Sequence, residues 1–292
     1  MSSARPVPQT TTRERAVAIK LLALTLGLMA AVLVIHGDQA GVDAHAYWGA
    51  VNRWLAGLDP LDPPHGFLPY LYAPWLLPVF LPWAALPWPV AWPLWRAVNV
   101  VVLALALGWG YRRRPLATAV LVIVLWVPLV VTLDSGNVTL LLAMGIWAAQ
   151  FTPPVAAGAL WALAASMKWY PILFLGILPR RARRWGVLLV GLAVVLSLVM
   201  WPQTMAQIRA VVGDPRPSRI DYLLLILAAV PWVWRHERLA GHTWPQAAVT
   251  LAADVRSNLR GWRQTWQRDR ELALTRARRA IEHRTRSMLG FG

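Results

Sequence analysis

"YLYAPWLLPVFLPWAALPWPVAWPLWRAVNVVVLALALGWGY" occupies residues 70–111. How often it crosses a bilayer decides the register of every apolar run after it. A helix needs about 20 apolar residues to cross, so the stretch is too long for one crossing. Pro74, Pro78, Pro82, Pro87, Pro89 and Pro93 interrupt it. Proline removes a backbone donor and clashes with the preceding turn, although neighbouring helices can satisfy the freed groups inside a membrane. The reading is therefore two helices, 71–86 and 92–111, broken at "LPWPVAW".

Outward from this stretch lie further apolar runs at 16–35, 115–133, 137–151, 155–178, 185–201 and 221–235. Together they predict an all-α, polytopic membrane helical bundle of about eight spans. The domain over 16–235 follows a disordered arm at 1–15 and carries a long extracytoplasmic loop at 36–70. A second outward loop falls at 202–220. A basic cytoplasmic tail, 236–292, completes the chain. In the tail Val255, Leu259, Trp262 and Trp266 recur at helical spacing with arginines between them, the pattern of a helix lying on an anionic membrane surface. A signal peptide cleaved at "AHA" (44–46) is the alternative for the first run, but that site lies too far beyond the apolar stretch.

Composition agrees. Only 14% of residues are charged and the mean hydropathy is +0.47, against about 25% charged residues in soluble domains. The net charge of +16 is concentrated at the ends of apolar runs and in the tail, where arginines orient spans and meet lipid headgroups. No nucleic-acid-binding motif accompanies it. Positive-inside places the N-terminus, "RRARR" (180–184) and the tail in the cytoplasm, while the eight-span register leaves Arg112 to Arg114 outside. A rival register fuses 71–111 into one span plus a re-entrant hairpin. It brings that triplet in and expels "RRARR" and the tail.

Chemistry-bearing residues gather in "GVDAHAYWGAVNRWLAGLDP" (41–60), where the first span has just ended. Tyr47, Trp48, Val51, Trp54 and Leu55 make a helical stripe, so Asp43 stands at the start of an interfacial helix that "GLDP" stops. Asp59 and Asp62 read as turn formers. Lys168 lies near the middle of its apolar run, where a charge is costly and points to function, with snorkelling as the alternative. Arg96 and Asn99 lie nearer a helix start, where both readings stand. Asp134, Ser135, Gly136 and Asn137 interrupt two apolar runs, and either Asp134 or Ser135 can cap the second helix.

Other chemistries find no support. The chain has no cysteine, and His36, His45 and His65 match no zinc spacing, so no metal is expected. There is no P-loop, no GxGxxG and no serine elbow, so no cofactor is expected either.

In order, an Asp after the first span, "GLDP", "YLYAP", a Trp-Arg…Asn helix, "SGN" and "MKWYP" before a basic turn resemble glycosyltransferase family 87. These are polyprenol-phosphate-mannose-dependent mannosyltransferases of the GT-C superfamily. The resemblance covers residues 16 to about 200. "GLDPLD" lacks the family's tyrosine after proline, "YAPW" its second proline, and Asn137 stands where the family has Gln. Members usually carry further spans, whereas this sequence turns basic after 235.

The resemblance implies a multi-pass enzyme of the cell membrane. It would move a sugar, mannose by the resemblance, from a polyprenyl-phosphate donor to a hydroxyl on a lipid or cell-envelope glycan. Asp43 would be the general base, acting with inversion. Lys168, Arg96, Asn99, Tyr72, Gly136, Asn137 and His45 would contact substrate, with Lys168 or Arg96 facing the leaving phosphate. The competing expectation is a non-catalytic relative that binds lipid as a scaffold or flippase-like protein.

Overall fold

The computed structural model describes residues 11–36, 41–62, 68–212 and 220–239, with side chains to Trp234. No strand occurs among the described residues. The tail helix expected around Val255 to Trp266 lies outside them, as does His65.

Helix α1 spans Thr12–His36, beginning before the expected Ala16. Thr11 Oγ1 accepts from the Glu14 amide at 3.2 Å and Glu14 accepts from the Thr11 amide at 3.1 Å, a capping box. α2 (Val42–Leu55) follows and ends at Gly57, whose φ of 72° suits a residue without Cβ. Its stripe does not simply rest on an interface. Tyr47 and Val51 are buried in the protein core, and only Trp54 and Leu55 are exposed.

The decisive stretch departs from expectation. Residues Pro74–Phe80 form a 3₁₀ turn continued by the one-turn α3 (Leu81–Ala84). The 71–86 span is thus replaced by a short, proline-broken segment. Hydropathy counts its residues as a span, but Pro78 and Pro82 deny the backbone a continuous α ladder. α4 (Trp88–Arg113) is a single long helix.

Beyond it, α5 (Pro115–Val124) and α6 (Trp126–Ser135) meet at a bend of 64°. Pro128 supplies the cause, since it has no N–H to offer the Val124 carbonyl. α7 (Thr139–Ala149) and α8 (Pro154–Met167) are short. The expected 155–178 helix breaks at Lys168, which is extended at φ −138° and ψ 134°. Pro171 favours the break, since it has no N–H to bond back to the Met167 carbonyl. A 3₁₀ segment (Tyr170–Ile177), α9 (Arg180–Val199) and α10 (Trp201–Val212) come next. A 3₁₀ turn (Ile220–Leu225) and α11 (Ile226–Leu239) complete the described chain.

Among the described residues, α1, α4 and α9 are long and apolar enough to cross a membrane, and the bent α5–α6 pair makes a fourth candidate. α8 and α9 approach closely through small residues. A Cβ on Gly158 would lie 2.7 Å from the Gly186 nitrogen and 2.8 Å from the Ala182 oxygen, so only glycine permits that crossing.

Contacts define two ends of the bundle. At one end, side-chain bonds pair His36 with Asp134 and, separately, join Asp43, Asn137, Lys168 and Asp221. At the other, Trp109 packs on Trp147, Phe151 and Trp234, with the Arg113 guanidinium 4.0 Å above its ring. Because α8 reaches Lys168 at its C-terminus, Gly158 and its neighbour Ala182 lie towards the second end. Arg112 to Arg114 and the start of α9 therefore share an end. The registers expected from sequence put them on opposite sides; here 71–86 is not one continuous helix, and 155–178 breaks at Lys168.

Candidate active site

α2 begins at Gly41 in the left-handed region (φ 87°). The Gly41 amide donates to the Asp134 carbonyl at 2.6 Å. Gly136, also left-handed at 72°, closes α6, its amide bonding back to Thr132 as helix C-caps do. Both glycines face the indole of Trp92. A Cβ on Gly41 would lie 2.9 Å from that ring, and one on Gly136 would lie 2.6 Å from Ala44 Cβ and 2.8 Å from Trp92. The missing side chains let the first turn of α2 sit on the α6–α7 turn. That close approach delivers Asp43 to Asn137.

Asn137 Nδ2 donates to Asp43 Oδ2 at 3.0 Å. The other side of the same amide is crowded with donors. Asn137 Oδ1 accepts from the Thr139 amide at 3.0 Å, Thr139 Oγ1 at 2.7 Å and Lys168 Nζ at 3.0 Å. An acceptor so placed fixes which amide atom is oxygen. The bond to the Thr139 amide is an Asx turn opening α7. Asn137 thus performs the role expected of Asp134 or Ser135.

Lys168 Nζ also donates to Thr139 Oγ1 at 2.6 Å and to Asp221 Oδ2 at 2.7 Å. An ammonium has three donors, and the three bonds use them. The Lys168 and Asp221 side chains are 10% and 11% exposed. The rings of Tyr222 and Tyr170 flank the ammonium at 5.2 and 6.0 Å. Sequence reasoning missed both Thr139 and Asp221. The available signal for Asp221 was an acid opening the apolar run "IDYLLLILAAVPW" (220–232), a position that hydropathy treats as a span edge.

Asp134 forms a second group. His36 Nδ1 lies 2.7 Å from Asp134 Oδ2, and Arg96 Nη2 lies 3.8 Å from Asp134 Oδ1. The end of α1 is thereby tied to α6 and α4. Arg96 Nη2 is buried without a hydrogen-bond partner, although its guanidinium sits 5.4 Å from the Trp92 ring centre.

Of the remaining expected residues, Tyr72 lies within electrostatic reach of Asp43 and Asp221. Tyr72 is buried, its hydroxyl 3.2 Å from that of Tyr47. Burial raises the Tyr47 pKa well above its ordinary value, so this neutral pair ties α2 to the segment before the 3₁₀ turn. His45 packs edge-on against Trp88 at 4.7 Å and near Trp48 at 5.5 Å. Desolvation lowers its pKa, which keeps the ring neutral at pH 7. Asn99 is fully buried; its amide donates to Trp95 of its own helix at 3.0 Å and its Oδ1 has no partner. Its amide hydrogen bond stays within α4 and does not reach the Asp43 group.

The arrangement is a partly buried carboxylate that accepts from the Asn137 amide, with a buried ion pair behind it and the Arg96 guanidinium reached through Gly41 and Asp134. It can accept a proton from a hydroxyl and stabilise a departing anion. Compared with known proteins, residues 70–212 match the model of glycosyltransferase family 87. No curated protein and no solved structure matches the chain.

Proposed function

Because residues 70–212 belong to glycosyltransferase family 87, we propose that this membrane protein transfers a sugar from a polyprenyl-phosphate donor, with Asp43 as its general base. The sugar is mannose and the acceptor a hydroxyl on a lipid or cell-envelope glycan. The observation that carries the reading is the Asn137 amide fixed on Asp43 Oδ2 at 3.0 Å, where α1 has just left the bundle. Asp43 takes the hydroxyl proton as the acceptor oxygen forms its bond to the anomeric carbon. The bond between that carbon and the phosphate oxygen breaks, and the lipid phosphate leaves with the electron pair. A carboxylate placed for this role contributes about 10²–10⁴-fold. The neighbouring carboxylate, Asp221, is held by Lys168, so direct displacement with inversion fits better than a second, nucleophilic acid.

The departing phosphate falls to Arg96. Lys168 spends its protons on Asn137, Thr139 and Asp221, whereas Arg96 Nη2 has hydrogen-bonding capacity to spare. A hydrogen bond to a charged group is worth about 1.5–3 kcal/mol, or about ten- to a hundredfold. Arg96→Gln is therefore expected to raise the donor KM by that factor with the acceptor KM unchanged. An unaltered donor KM removes Arg96 from the phosphate site.

The site end faces outward at the cell membrane, and the end bearing Arg112 to Arg114 and Arg180 to Arg184 faces the cytoplasm, satisfying positive-inside for both arginine clusters. The chain lacks cysteine, so single cysteines report cleanly. In intact cells an impermeant thiol reagent should label Asp59→Cys and spare Arg113→Cys and Arg181→Cys. Labelling at 113 restores the eight-span register.

The direct test is purified protein in nanodiscs with a radiolabelled polyprenyl-phosphate mannose and a lipid-linked glycan acceptor. Transfer with inverted stereochemistry is the expected result. Donor binding without transfer, in protein that melts cooperatively, would establish the lipid-binding scaffold instead.

A further inference from the structure

We infer that Asp221 and Lys168 form a positioning pair that fixes the Asn137 amide against Asp43, so that the base is oriented from a segment beyond the family-matched range. The inference rests on Asp43 being the base. The pair acts on Asp43 through Asn137, which bonds to Asp43 on one side and to Lys168 on the other.

An asparagine amide can rotate to present oxygen or nitrogen, and only the nitrogen can donate to a carboxylate. Asn137 has its oxygen claimed on the far side by Lys168 Nζ and by Thr139. The ammonium is the charged member of that set and makes the strongest claim. Lys168 in turn needs a counter-charge, because an ammonium in so dry a place is costly alone. Asp221 supplies it at 2.7 Å from the 3₁₀ turn Ile220–Leu225. Thr139 Oγ1 lies 2.5 Å from Asp221 Oδ2 and 2.7 Å from Asn137 Oδ1. Its single proton serves one of them while the ammonium serves both. The rings of Tyr170 and Tyr222 close the sides, tilted at 43° with their centroids 4.0 Å apart.

A pair that merely holds the bundle together predicts a different result from one that orients a base. Removing one partner of a buried ion pair is strongly destabilising, whereas replacing both by apolar residues is often tolerated. The experiment therefore uses full-length Lys168→Met/Asp221→Leu in nanodiscs, made in the wild-type and Asp43→Asn backgrounds, with the polyprenyl-phosphate mannose donor. Misplacing a reacting group by about 1 Å costs about a hundredfold. The double variant should fold, keep its donor KM and lose about 10–100-fold in kcat. In the Asp43→Asn background the same change should cost nothing further, since the residue it orients is already disabled.

Wild-type kcat in the folded double variant overturns the inference, and so does an equal loss in both backgrounds. Should the double variant not fold, Asp221→Asn, which keeps the shape and an acceptor oxygen, carries the same comparison. If Asp43→Asn alone turns over normally, the base assignment has fallen and the inference with it. If Asp43→Asn is inactive while the pair variants are active, the inference falls alone.

Discussion

Asp43→Asn is expected to lower turnover by about 10²–10⁴-fold while leaving expression, thermal stability and donor binding close to wild type. The substitution keeps the side chain's shape, and an amide oxygen still accepts from Asn137 Nδ2, which donates to Asp43 Oδ2 at 3.0 Å. Only proton acceptance is lost. The comparison lies on the same loop. Asp59 Oδ1 accepts from the Leu61 amide at 2.9 Å, which makes it a turn former. Asp62 is largely exposed and 3.7 Å from Arg53, a surface contact worth little. Asp59→Asn and Asp62→Asn should therefore stay within a few-fold of wild type. Steady-state rates for the three variants decide the matter, and an essential Asp59 or Asp62 beside a dispensable Asp43 would sink the assignment.

Gly136→Ala should be the most damaging single methyl group in the bundle. At φ 72° an alanine occupies a region that costs about 1–2 kcal/mol. Its Cβ would also stand 2.6 Å from Ala44 Cβ and 2.8 Å from Trp92, and overpacking of that kind costs about 1–3 kcal/mol. The sum is about 2–5 kcal/mol, taken either as lost stability or as retreat of α2 from the α6–α7 turn. Retreat breaks the Asp43–Asn137 bond, so activity falls along either route. Gly191→Ala, where nothing lies within 4 Å, should be harmless. Tryptophan-fluorescence melts of the two variants side by side test this, and coincident transitions would refute it.

Much of the site was legible because the sequence marks it with improbable residues. An acid directly after an apolar run, a lysine inside one and a glycine-asparagine break between two are each unusual, and the structure joins Asp43, Asn137 and Lys168 by hydrogen bonds. The all-helical membrane architecture was equally plain from composition. What hydropathy could not supply was direction. It adds apolar character without regard to rise, so the proline-broken 3₁₀ turn at Pro74–Phe80 read as a span. The break at Lys168 was hidden inside a run of membrane length. Asp221 escaped because its partner lies 53 residues earlier, and helical or strand periodicity relates only near neighbours. His45 and Asn99 have the chemistry of ligands, but the packing that turns one towards Trp88 and buries the other in α4 is set by distant chain.

The separation of Lys168 from Asp221 also imposes an order on biogenesis. Lys168 leaves the ribosome 53 residues ahead of the carboxylate that neutralises it. At about 5–20 residues per second the interval is several seconds. During that time the ammonium at the end of α8 lacks Asp221, and an ion left alone in so dry a place is costly. The hairpin around Lys168 therefore has reason to linger at the mouth of the insertion machinery, and to settle only when Asp221 arrives. On this account the 3₁₀ turn before the last described helix does more than fill a place in the bundle: it closes a waiting intermediate.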